Sequence, residues 1–206
     1  MVSYFVQNVR RGARLAWAAC VLALLGPPLL VWVVRGFALA AHCTPGPAPC
    51  RGFALGEALR GALTLAWSVG ADPVTLIVLG LAAAIAGTIL RRPLAGAACL
   101  LLLPLAAPIL PMAAVYASTY PGCTPSEAGV GDCMLWGAPM GLSFHEAASV
   151  PWLVYGFAPY SFALALMLGI VGWFVARPRP AVRALAQAHD PFRVPDYRFD
   201  SRRDPF

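Results

Sequence analysis

Four stretches of this chain run without a charged residue for the length a helix needs to cross a bilayer: residues 15–34, about 73–90, 94–118 and about 159–176. Roughly 20 apolar residues in a helix match a hydrocarbon core about 30 Å thick. The rest of the chain cannot offset so much apolar surface. Hydrophobic residues make up 60% and charged residues only 12%, about half the charged share of an ordinary soluble domain. The sequence therefore predicts an all-α integral membrane protein with the lipid bilayer as its solvent.

Arginine placement gives an expected orientation. All fifteen basic residues are Arg. Arg10, Arg11 and Arg14 precede the first run, Arg91 and Arg92 sit between the second and third, and Arg177, Arg179, Arg183, Arg193, Arg198, Arg202 and Arg203 follow the fourth. The remaining three, Arg35, Arg51 and Arg60, share the other side with Glu57, Asp72, Glu127, Asp132 and Glu146. The positive-inside rule then places both termini and the Arg91-Arg92 turn in the cytoplasm of a bacterial inner membrane. Arginine clustered beside apolar runs reads as topology, so no nucleic-acid partner is expected. The first run is read as a retained signal anchor, with cleavage near Ala40-Ala41 as the alternative.

The two halves resemble each other. Ala18-Ala19-Cys20 recurs as Ala97-Ala98-Cys99 and Cys43-Thr44-Pro45 as Cys123-Thr124-Pro125. Gly52, Gly56, Trp67, Pro73 and Pro93 match Gly137, Gly141, Trp152, Pro159 and Pro178 at slowly drifting offsets. Two spans per copy keep both copies in the same orientation, a parallel repeat. The expectation is a four-helix bundle of two tandem hairpin repeats, 1–93 and 94–180, followed by a cytoplasmic tail, 181–206. Short interfacial helices are expected at 55–67 and 142–152, within an aromatic belt formed by Trp67, Trp136, Trp152, Tyr116, Tyr120, Tyr155 and Tyr160.

Cysteine supplies the strongest candidate site. Each outer loop holds one close pair, Cys43 with Cys50 and Cys123 with Cys133, on a face where disulfides persist. Cys20 and Cys99 fall inside helices and read as small packing residues. Four spans, internal termini and one Cys pair per outer loop resemble the quinone-coupled disulfide oxidases of the DsbB type. That resemblance implies redox roles for Cys43, Cys50, Cys123 and Cys133, with quinone as cofactor near Arg51. The other reading, favoured here, makes both pairs structural clips. Six residues separate Cys43 from Cys50, three of them Pro, unlike the Cys-x-x-Cys spacing that tunes a redox pair.

Smaller signals complete the picture. Gly80/Ala84 and Ala83/Gly87 are small-xxx-small pairs that let helices approach closely in lipid. Pro27-Pro28 and Pro104, Pro108 and Pro111 should bend the first and third spans. Asp72, before Pro73, reads as an N-cap. His42 and His145 lie near carboxylates but without metal-ligand spacing, so no metal site is expected. The tail sets Phe192, Tyr197, Phe199 and Phe206 among Arg residues, a pattern suited to docking on a partner or on an anionic leaflet. The favoured function is a non-enzymatic accessory or scaffold subunit without a cofactor, bound to a membrane-protein partner or to copies of itself. The alternatives are the quinone-coupled oxidoreductase and a small transporter.

Overall fold

The computed structural model describes residues 2–50 and 53–176. Among these residues the elements are α1 (Val2–Ala40), α2 (Leu55–Gly70), α3 (Pro73–Ile89), α4 (Pro93–Tyr116), a small hairpin of β1 (Met134–Leu135) and β2 (Ala138–Pro139), and α5 (Gly141–Ala176). Three helices are long and apolar enough to cross a membrane, over Gln7–Ala40, Pro93–Tyr116 and Gly141–Val175. A fourth is added if α2 and α3, bent by 73° where they meet, count as one broken span. The tail residues Phe192, Tyr197, Phe199 and Phe206, and Arg51, lie outside the described residues.

The bend between α2 and α3 has a local cause. Asp72 caps α3, accepting from the amide of Val74 at 3.4 Å and that of Thr75 at 3.1 Å, and from the Thr75 hydroxyl. Pro73 follows at the first helical position, where its missing N–H costs nothing. A capped start with Pro behind it ends α2 and begins a new helix in a new direction.

The second half differs at the matching place. The sequence pointed to an interfacial helix at 142–152 and a separate span at 159–176. The structure joins them in one helix, α5, with Pro151 and Pro159 inside it. Ala158 stands where Asp72 stands in the first half. Its methyl group offers the following amides no acceptor, so nothing favours a fresh start. Proline alone therefore did not break the helix; proline behind a capping carboxylate did.

The core follows the small-residue face of α3. A side-chain carbon on Gly87 would lie 2.9 Å from the Gly96 Cα, and one on Gly96 would lie 2.7 Å from the Ala84 carbonyl oxygen. Only hydrogen fits at either position, so α3 and α4 touch backbone to backbone. Gly80 rests on Leu100 and Pro104, and Gly70, the end of α2, rests on the Ala107 carbonyl. Pro111 leaves that carbonyl without its helical donor. Ala83 and Ala84 are fully buried. Helix α1 packs on α2, α3 and α4, and α5 packs mainly on α4. At the far end of α5, Gly172 lies over the Pro93 ring.

Two outcomes are expected. Gly96→Ala should destabilise the purified protein by about 1–3 kcal/mol through overpacking, whereas Gly12→Ala, with nothing within 4 Å of the added carbon, should not. Thermal unfolding in detergent reads both. Asp72→Ala should lower the unfolding temperature by removing the cap. The Thr75 hydroxyl first, and the Thr75 amide second, hold the Asp72 carboxyl below the ordinary carboxylate range. Its contribution is thus complete above the unfolded value of about 3.9 and is lost as pH falls through the lowered folded value. The difference between wild type and Asp72→Ala should accordingly vanish in strong acid and stay constant from mildly acidic to neutral pH.

Candidate functional site in the disulfide headpiece

The loops at one end of the helices form a compact headpiece. Helix α1 stops in a Schellman turn: His42, at φ 54°, donates to the Leu39 carbonyl, and Cys43 donates to the Ala38 carbonyl. His42 is therefore a helix stop. The chain then folds through Thr44–Pro49, and Cys43 is bonded to Cys50 with their Cα atoms 5.8 Å apart. In the second loop Cys123 is bonded to Cys133 across 4.9 Å. Closing such short loops stabilises each by about 2.5 kcal/mol in the chain-entropy picture.

The hairpin after Cys133 is the piece that joins the two loops. Its strands pair Met134 with Pro139 and Leu135 with Ala138, leaving Trp136 and Gly137 at the tip. Both have positive φ, 50° and 80°, as a two-residue type I′ turn demands. The tip enters the Cys43–Cys50 loop. The Trp136 amide donates to the Gly46 carbonyl at 2.8 Å, the Gly137 amide to the Pro47 carbonyl at 3.1 Å, and the Trp136 indole to the Thr44 carbonyl at 3.0 Å. Helix α2 closes from the side: Gly56 leaves room for the Leu135 and Trp136 carbonyls, each within 3 Å of where a side-chain carbon would be.

Beneath the tip lies Arg35, which is 6% exposed. Its guanidinium carbon sits 5.8 Å from the Trp136 ring centroid. One terminal nitrogen donates to the Ala117 carbonyl at 2.8 Å, at the C-cap of α4. Its Nε has no hydrogen-bond partner. Among the described residues the one ion pair is Arg60 with Glu57, at 2.7 Å on the surface of α2, so no carboxylate answers Arg35. A charged hydrogen bond to a helix-end carbonyl is worth about 1.5–3 kcal/mol and a desolvated cation–π contact about 2. Together these match the several kcal/mol that burying an ion costs. Arg35 thus sets the position of α1 against α4 and the hairpin while adding little net stability.

Further ties hold the second loop to α5. A His145 ring nitrogen bonds the Ser126 carbonyl at 2.9 Å, and the Trp152 indole donates to Glu127 at 3.0 Å. The His145 ring therefore has a structural partner, and among the described residues no group of three potential ligands converges on a metal site. The aromatic residues divide: Trp67 and Trp136 are buried in the headpiece core, whereas Trp152, Tyr155 and Tyr160 are exposed on α5. Cys20 and Cys99 are free thiols packed against one inner cluster around Leu24, Leu76 and Leu103.

Both disulfides belong to a single apolar core with Val31, Leu59, Trp67, Val115, Trp136 and Phe144. Cys50, Cys123 and Cys133 are 6%, 1% and 7% exposed. Sequence reasoning found the four cysteines but not Arg35 or the keystone function of Trp136. Arg35 looked like one more charge beside an apolar run, and its acceptor is 82 residues away. The Trp-Gly pair between short apolar stretches was the available signal for the turn. Comparison with known proteins brings no further identification: no family model matches the chain, and no similar chain is found among curated proteins or solved structures.

Truncating the keystone tests this account. Trp136→Ala should cost about 3–5 kcal/mol, as for other buried aromatic residues, and should make both disulfides reducible under conditions that leave the wild type intact. Trp136→Phe keeps a ring over Arg35 and should lose only the indole hydrogen bond, about 1 kcal/mol. Urea titration in detergent with mass-spectrometric thiol counting gives both values.

Proposed function

We propose that the chain is a four-span accessory or scaffold protein of a bacterial inner membrane, with both termini cytoplasmic and the disulfide headpiece on the periplasmic face. Its spans are α1, α3, α4 and the lower part of α5, packed as a bundle of two tandem hairpin repeats. The spacing of contacts supports α3 as a full span. Ala107, the contact of Gly70, stands fourteen positions after Pro93, which is about 21 Å along α4. Asp72 then stands near the level of Tyr155 and Tyr160 on α5, where exposed aromatic rings favour the interface. The outward side chains of α2, Glu57, Arg60, Thr64 and Ser68, are polar and exposed, which suits a helix lying at the water boundary.

The observation that carries the non-enzymatic reading is the burial of the sulfurs. Thiol–disulfide exchange requires a thiolate to reach a sulfur along the bond axis. Cys50, Cys123 and Cys133 are packed inside the core that the loops share, with Cys43 the one half-exposed cysteine of the four. Such bonds act as clips that hold a rigid outer surface. On this reading the protein needs no cofactor, and its apolar helix faces and its Arg- and aromatic-rich tail engage a membrane partner or further copies of the chain.

Three measurements decide it. With Cys20 and Cys99 replaced by Ala, Ala128→Cys should react with an impermeant maleimide added outside intact cells, and Arg91→Cys only after permeabilisation. The reverse pattern refutes the orientation. The native disulfides should be fully oxidised and intra-loop, and purification in mild detergent should yield a stoichiometric partner or a homo-oligomer. Exchange between the two pairs coupled to quinone reduction would establish the oxidoreductase instead.

A further inference from the structure

A cleft of about 500 Å³ opens between the polar side of α2 and the start of α5, lined among others by Arg60, Asp132, Gly141, Leu142 and Ser143. A neighbouring hollow along α2 shares Arg60 and adds Glu57 and Leu65. None of these groups takes part in the interlock of Trp136 with the first loop.

One side of the cleft is built for an anion. The first turn of α5 lines it, and the amides of Gly141, Leu142 and Ser143 precede the first helical hydrogen bond, which the Phe144 amide makes to the Met140 carbonyl. Ser143 is 5% exposed, lines the cleft, and its hydroxyl has no hydrogen-bond partner among the described residues. Free amides, an unpaired hydroxyl on an otherwise buried residue and the Arg60 guanidinium together make an oxyanion cradle. Arg60 is available, since its pair with Glu57 is solvent-exposed on both sides, 47% and 53%, and such pairs hold weakly.

The other side is built for a cation. Asp132 lines the cleft and Glu57 stands next to Arg60. Two carboxylates against one guanidinium and about half a positive charge from the helix N-terminus disfavour a bare anion. A molecule carrying both charges suits the cleft better. Val130 and Leu142, each 59% exposed, border the cleft with apolar surface, and Leu65, 48% exposed, borders the adjoining hollow.

We propose that this cleft binds phosphoethanolamine, its phosphate on the first turn of α5, Ser143 and Arg60, its ammonium on Asp132, and its apolar attachment over Leu65, Val130 and Leu142. The group arrives as the headgroup of a phosphatidylethanolamine or as a free phosphoethanolamine ester. The cradle depends on α2 and α5 alone, so its chemistry stands apart from the scaffold reading; only the lipid source rests on the membrane placement.

The test uses the full chain in mild detergent, with short-chain phosphatidylethanolamine, short-chain phosphatidylglycerol and soluble phosphoethanolamine as probes, followed by calorimetry. Saturable binding of an ethanolamine-bearing probe is expected, weakened about tenfold in Ser143→Ala and in Arg60→Gln. Asp132→Asn should abolish the preference over the glycerol headgroup. Binding by the lipid alone assigns the leaflet as the source, and equal binding by the soluble ester assigns a solute. Each variant is first checked for wild-type unfolding temperature, and Thr64→Ala serves as a second probe of the α2 wall, expected to retain binding. Equal affinity for both headgroups in wild type, or wild-type affinity in both Ser143→Ala and Arg60→Gln, overturns the proposal. The soluble-ester arm reads the cleft whatever surrounds the helices, so a failed site and a failed membrane assignment give different results.

Discussion

The contact of Trp136 with the first disulfide loop, seated over the buried Arg35, ties together parts of the chain that have no other reason to meet. One indole and two backbone amides at the hairpin tip satisfy carbonyls at residues 44, 46 and 47. The same ring covers a guanidinium on α1 that reaches the C-terminus of α4. Remove this contact and the two loops become separate excursions, each closed only by its own disulfide. With it, they share a single core that also takes in α2 and the start of α5.

That core sets how far the cysteines can be reached. A disulfide acts in exchange when a sulfur is accessible and when reduction relieves strain or is offset by a stabilised thiolate. Here three of the four sulfurs are packed among Leu, Val and aromatic side chains. Arg35, beneath the hairpin tip, is held by a carbonyl and a ring face. The headpiece is one packed unit, with a polar cleft beside α5.

The near-repeat of the halves shows how little separates two outcomes. Asp72 and Ala158 occupy matching places before a proline. The carboxylate caps a new helix and the chain turns by 73°; the methyl group cannot, and α5 runs on. The first half therefore lays a helix, α2, along the base of the headpiece, and the second half sends a continuous helix up through it. Similar sequence in the two halves produced complementary parts.

Much of the architecture was legible from residue order alone. Charge-free runs of spanning length, the cap at Asp72, the small residues of α3 and the close cysteine pairs are local or periodic signals, and each constrains its own segment through propensity, solvent or short loop closure. The union of 142–152 with 159–176 was hidden, because proline suggests a break and only the missing cap decides otherwise. Arg35, Trp136 and the cleft at Ser143 were hidden for a different reason. Their meaning lies in neighbours some 80–100 residues distant or on another helix, and burial is a property of the packed whole. The sequence by itself determined the apolar runs, most of the helices and the cysteine pairs. Tertiary structure decided which loop grips which, because desolvation and hydrogen-bond geometry exist only once those segments are brought into contact.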